Sequence, residues 1–145
     1  MRNLTEVQRK LKDAAACLKA SERDYAASDQ NAQLCIELSA KAVISIYAEP
    51  LWTHDPSSQL LKLMDEHKGE IIDKCGDEIS QDLHNMIEDV GLAKDWHGWS
   101  VYGKEEGGVL YAAVDICTKE VAEDLLKRAK KSYKTAGKMF EIMHR

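Results

Sequence analysis

Glu37 and Lys41 stand four residues apart in a predicted helix, Glu first, which is the favourable order for an intrahelical ion pair. Exposed, such a pair contributes only a few tenths of a kcal/mol, roughly. The first reading is a surface or interface pair; the alternative is that Lys41 meets a phosphate or nucleotide. His54 and Asp55 follow, directly before Pro56. A helix start accounts for them: Asp55 caps, Pro56 takes the first turn, and His54 bonds nearby backbone. The alternative is chemical, because an imidazole titrates near neutrality and can serve as acid or base. The five histidines are isolated from one another in sequence, and His84 with Glu88 gives two candidate ligands without a third. No metal and no cofactor are expected.

The stretch Trp96-His97-Gly98-Trp99-Ser100-Val101-Tyr102-Gly103 is the best candidate for a recognition surface. Trp96 and Trp99 either cover the end of the fold or offer indole faces to a base or a partner. Lys127, Lys131, Lys134 and Lys138 step along one face of the last predicted helix, and Arg128 and Lys130 widen the stripe. Cations suit the C-terminal half of a helix, so a solvated face is the first reading. A phosphate-rich partner is the sharper one.

With 145 residues, 44% of them hydrophobic, the chain has the length of one domain and can bury a core without metal or disulfide staples. Ala, Leu, Lys and Glu are abundant and only 6% is aromatic, a helical composition. A net charge of −5 disfavours indiscriminate coating of nucleic acid, which rests on neutralising phosphates. The charge is polarised. Residues 65–95 hold ten acids and three lysines, and residues 119–145 hold eight Lys or Arg and four acids. Two helix faces that complement each other, within a bundle or across a dimer, would account for this. Cys17, Cys35, Cys75 and Cys117 form no C-x-x-C pair, so reduced, buried thiols in a cytoplasmic protein are expected. The N-terminus lacks an apolar signal region, and no apolar run approaches the roughly 18 residues of a membrane span.

The elements that must position these residues are helices. Leu4, Val7, Leu11, Ala15 and Leu18 share one face of a first helix, with Thr5 and Gln8 as a possible capping box. It is expected to end near Ala26-Ala27, with Ser28-Asp29 as turn and new cap. The second helix runs from about Gln30 to Ala48 and stops at Pro50. A third starts at Pro56 and weakens at Gly69. A short helix is expected around Ile71 and Ile72, then a long fourth one carrying Ile79, Leu83, Met86, Ile87 and Val90. Residues 95–108 read as a loop. A single stripe from Leu110 and Val114 through Cys117, Val121, Leu125, Ala129, Tyr133 and Ala136 to Phe140 predicts one long last helix. No strand is expected. The fold class is all-α: an up-and-down bundle of four long helices plus short ones.

Residues 31–55 read N-A-Q-L-C-I-E-L-S-A-K-A-V-I-S-I-Y-A-E-P-L-W-T-H-D. This resembles the second helix and following turn of the HEPN family (higher eukaryotes and prokaryotes nucleotide-binding), on Glu37, Lys41 with Ala42, and Thr53-His54-Asp55. Tyr102-Gly103 resembles the tyrosine and small residue that many HEPN relatives carry further along. The resemblance implies a four- or five-helix bundle that dimerises. Some members are metal-independent ribonucleases, often toxins of toxin-antitoxin pairs, that use an arginine and a histidine separated by four to six residues. Others lack that pair and bind nucleotides or accompany a minimal nucleotidyltransferase. In this chain no arginine has a histidine five to seven positions further on: the spacing leads from Arg2 to Val7, Gln8 and Arg9, and from Arg128 to Tyr133, Lys134 and Thr135, with Arg9 and Arg23 likewise unmatched.

The resulting expectation is a single HEPN-like domain over residues 1–145, non-catalytic, that binds a nucleotide or a nucleotidyltransferase partner as a homodimer. The contacts expected are Lys41, His54, Trp96, His97, Trp99, Tyr102, Lys131 and Lys134, with no membrane involved. The alternatives are a divergent ribonuclease toxin using His97 with Lys94, Lys104 or Tyr102, and a purely structural interaction domain.

Overall fold

The computed structural model describes residues 4–20 and 24–145. Its elements are α1 (Leu4–Ala20), α2 (Tyr25–Tyr47), α3 (Ser57–Glu66), α4 (Lys68–Ala93), α5 (Trp96–Tyr102), β1 (Lys104–Glu106), β2 (Val109–Tyr111), α6 (Ala113–Ile116) and α7 (Lys119–His144). The architecture is an all-α bundle with one two-stranded ribbon attached. Arg2 and Arg23, which entered the motif count, lie outside the described residues.

Helix α2 is the axis of the bundle and packs against α1, α7, α5, α4 and α3. Its sequence explains that place. Ala32, Cys35, Ile36, Ser39, Ala40, Val43, Ile44 and Ile46 leave no wholly polar face, and all are buried. The small residues let neighbours approach closely; the Cys35 thiol donates to the Ala129 carbonyl of α7 at 3.7 Å. On α7, Ala122, Leu125, Ala129, Ser132, Ala136 and Met139 make the complementary stripe. The acidic α4 and basic α7 also meet, as where Arg128 Nη1 lies 2.6 Å from Asp89 Oδ1. The polarised charge is thus partly spent inside the bundle.

Four expectations need correction. Helix α2 begins earlier than residue 30, because Asp24 caps it by accepting from Ala27 N at 2.8 Å; Ser28 and Asp29 are inside the helix and buried. Thr5 is already helical and so caps nothing. Helix α3 starts at Ser57 rather than Pro56, although Asp55 Oδ1 does accept from the Ser57 amide at 3.2 Å. The short helix around Ile71 and the long one from Ile79 are present as expected, joined through Gly76 at φ +88°.

The fourth correction concerns residues 95–118. The expected loop contains α5, and the expected start of the last helix is a hairpin followed by the single turn of α6. Strands β1 and β2 pair antiparallel, Lys104 with Tyr111, Glu105 with Leu110 and Glu106 with Val109. Gly107 and Gly108, at φ +59° and +78°, make the tight turn between them. The last helix starts only after Thr118, whose hydroxyl accepts from Val121 N at 3.3 Å. Leu110 and Val114, placed by spacing on a buried stripe, are each 80% exposed.

Gly103 is the hinge between α5 and the ribbon. At φ +80° a Cβ would stand 2.2 Å from the Tyr111 carbonyl oxygen, so both conformation and space require glycine. Gly103→Ala is expected to cost about 2 kcal/mol or more in strain and to open the ribbon. Amide exchange across residues 104–111 checks this; unchanged protection would contradict it.

Candidate functional site

Gln33, Glu37 and Lys41 are successive i,i+4 positions and share one face of α2. The 49–55 connection and α5 close over this face. Glu37 is 5% exposed yet fully satisfied. It accepts from Gln33 Nε2 at 3.1 Å and Lys41 Nζ at 3.1 Å, and from His54 Nδ1 at 2.9 Å. Burial pushes its pKa up, but the bonds from Gln33 and His54 and the charge of Lys41 outweigh this and hold it below the usual glutamate value. The carboxylate is therefore ionised and can only accept.

His54 stacks on His97 of α5 with ring centroids 4.1 Å apart and planes at 25°. His97 Nδ1 lies 3.2 Å from Gln33 Oε1. Two histidines 43 positions apart in sequence thus converge on two adjacent turns of α2. The connection is pinned at its start by Gln59 of α3, which accepts from Leu51 N and donates to the Glu49 carbonyl, each at 2.9 Å. At its end Thr53 Oγ1 accepts from Asp55 N at 3.0 Å, and Asp55 pairs with Lys94 at 3.4 Å. Both ends of the histidine-bearing segment are fixed.

Lys41 and His54 also border a cleft of about 500 Å³ between α1, α2 and the connection. Arg9 and Lys10 of α1 line it, both paired to Glu6, along with Leu38, Pro50, Leu51, Trp52 and Thr53. Trp52 is completely exposed, at 103%. Glu6 and Glu49 line it as well and offset its cations, so the imidazole and the bare indole are the groups that can meet a flat, polar ligand.

The other candidate residues are not gathered here. Trp96 packs on the core and meets Trp99 edge-on at 5.2 Å. Trp99 carries the Lys104 ammonium over its ring at 4.4 Å, so its face is engaged from within the chain. Tyr102 is 89% exposed beside the ribbon. Lys131 and Lys134 line grooves with Glu78 and Asp82 of α4, and Lys131 also faces the Asp89–Arg128–Asp124 pairs. Sequence reasoning overlooked Gln33, Arg9, Lys10 and Trp52. For Gln33 a signal existed, since it extends the Glu37–Lys41 spacing by one turn. Among the described residues no group of three or more His, Cys, Asp or Glu could hold a metal ion, and no helix is long and apolar enough to cross a membrane.

A helical bundle whose second helix meets a histidine-bearing turn through Gln33, Glu37 and Lys41 defines the class. The HEPN domain family model matches residues 4–139, and the chain belongs to that family. Its members generally bind nucleotides or act on RNA, and they commonly dimerise. No curated protein and no solved structure matches the chain.

Proposed function

We propose that this chain is one HEPN-like domain, 1–145, that binds a nucleotide without cleaving RNA, in the cleft bordered by Lys41, His54 and Trp52. The observation that supports this reading most directly is the composition of that cleft. Trp52 is an uncovered stacking platform, and His54 stands beside it together with Lys41, Arg9 and Lys10, which are paired with Glu37 and Glu6. The reading includes a homodimer in the cytoplasm, with a minimal nucleotidyltransferase partner as the alternative to a nucleotide. Exposed Tyr102, Leu110 and Val114 offer the apolar contact area that a partner or second copy would cover.

A thermal-shift series with AMP, ADP, ATP and short RNAs tests the binding. Ligand at a hundred times Kd stabilises by about 2.7 kcal/mol, roughly 5–10 °C for a chain of this length. Trp52→Ala and Lys41→Ala are expected to reduce the shift severalfold. No shift with any nucleotide at millimolar concentration would overturn the reading.

A second reading, ribonuclease activity, is favoured by one observation: Arg9 and His54 border the same cleft although they are far apart in sequence. The pair is spatially available for a fixed cation and a proton-transfer group. Arg9 is already paired with Glu6 at 2.7 Å, which weighs against it. Cleavage of RNA by pure protein, lost in both Arg9→Ala and His54→Ala, would promote this reading over the first.

A further inference from the structure

His54 and His97 stack with ring centroids 4.1 Å apart at the side of the cleft that His54 lines. The hydrogen bonds around Glu37 determine which ring atoms are available. Because the Glu37 carboxylate only accepts, Gln33 must turn its Nε2 amide toward it, as the 3.1 Å contact requires. Gln33 Oε1 is then an acceptor, and His97 Nδ1 at 3.2 Å must carry a hydrogen to reach it. His54 Nδ1, at 2.9 Å from Glu37 Oε1, must carry one for the same reason. Both imidazoles are held by Nδ1–H on α2, and Nε2 is the free atom of each. Among the described residues neither Nε2 has a hydrogen-bond partner, and that of His97 is not among the buried unpartnered atoms. The His54 side chain is 60% exposed.

We propose that the Nε2 atoms of His54 and His97 form a clasp for a phosphate monoester, the terminal phosphate of a nucleotide, and that binding draws a proton into the imidazole pair. This rests on the nucleotide-binding reading and names the chemistry of its phosphate end. A neutral imidazole with Nδ1–H presents only a lone pair at Nε2, which repels a phosphate oxygen; once protonated it presents N–H. Without an anion, two imidazolium rings 4.1 Å apart repel each other. That repulsion limits the pair to one added proton; the phosphate dianion accepts a charge-assisted Nε2–H bond from the ring that carries it, and the two stacked rings share that proton by exchange.

The surrounding charges do not take over this role. From α2 the pair is faced by Glu37 and Lys41, which neutralise each other at 3.1 Å. From α1, Arg9 and Lys10 are paired to Glu6, whose pKa is held down first by Lys10 and then by Arg9. In the connection and at the end of α4 stand Glu49, Asp55 and Lys94; Asp55 is held low first by the Ser57 hydroxyl and further by Lys94. Of all these side-chain types only imidazole ordinarily changes charge near neutrality, so the proton taken up belongs to His54 or His97.

Calorimetric titration of the full chain with AMP and with adenosine, from pH 7 to 8.5 in two buffers of different ionisation enthalpy, tests the clasp. AMP is expected to bind with uptake of roughly one proton and to weaken by up to tenfold per pH unit over this range, while adenosine binds with neither. NMR of the imidazole Cε1–H signals at pH 7.5 should show the two rings moving toward their protonated positions on adding AMP. His97→Gln should lose the proton uptake and about tenfold in AMP affinity, with adenosine unaffected. AMP binding that is independent of pH and buffer, or a proton that sits on the phosphate while the ring signals stay in place, overturns the clasp and leaves nucleotide binding standing. Absence of binding by both AMP and adenosine overturns both.

Discussion

Glu37→Ala is expected to lower the stability of the fold by about 3–5 kcal/mol, the usual consequence of removing one member of a buried ion pair. The loss has three parts in the structure. Lys41, whose side chain is only 15% exposed, would keep its charge without the carboxylate 3.1 Å away. Gln33, itself 1% exposed, would lose the acceptor for its amide. His54 would lose the bond that fastens the 49–55 connection to α2. Glu37→Gln keeps the volume and one acceptor oxygen, so it should cost clearly less. The sign of the pH dependence follows from the direction of the shift. The folded-state pKa of Glu37 lies below its ordinary value of 4.5, so its contribution is present above that value and is lost as pH falls through the depressed one. Wild type and Glu37→Gln should therefore converge in acid. Urea unfolding at pH 7 and pH 3.5 provides the check; a loss under 1 kcal/mol for Glu37→Ala would contradict the account.

Asp29→Asn is expected to act in the opposite direction. Asp29 lies inside α2 with no exposed surface, and neither carboxyl oxygen has a hydrogen bond within the described residues. Burial raises its pKa from 3.8 to about 6, and the neighbouring Cys117 thiol, a weak donor, opposes this only in part. The same surroundings push Cys117 up to about 12, burial first and Asp29 second. A raised folded-state value means that the contribution of Asp29 is fully present below 3.8 and is lost as pH rises through about 6. The shift of about two units corresponds to about 3 kcal/mol. Between pH 4 and pH 7.5 the stability difference between the two proteins should move by about that amount in favour of Asp29→Asn, which should be the more stable protein at pH 7.5. Parallel stability curves for the two would contradict the assignment.

The long helices were legible because each carries its own period. The stripe from Leu125 through Ala129 and Ala136 is buried on α7, and the stripe of Ile79, Leu83, Met86 and Val90 is buried on α4. The ribbon was not legible, for two reasons. Its strands have three residues each, too few for an alternating pattern to stand out. Leu110 and Val114 also continue the spacing of the α7 stripe by coincidence, across a chain that is not helical there. The Gly107-Gly108 pair was the contrary signal, a two-residue turn between short β-prone segments. At the site, Lys41, His54 and His97 were each recognisable as chemically able residues. Their meeting was not, because it depends on α5 folding back on α2. Trp52 gave no pattern at all: its meaning lies in being fully exposed at the mouth of a cleft, and sequence spacing carries no information about exposure in a connection.

The central claim is that the ligand cleft lies between α1, α2 and the 49–55 connection, and not on the basic face of α7. Two-dimensional NMR during titration with AMP tests it most directly, since the Trp52 indole N–H and the backbone amides of residues 38–41 and 50–54 report on one place and those of residues 127–138 on the other. The account predicts that the Trp52 indole and the Lys41 and His54 amides shift together and saturate with one affinity, while the Lys131 and Lys134 amides stay where they are. Shifts confined to Lys127, Lys131, Lys134 and Lys138, with the Trp52 indole unmoved, would contradict it.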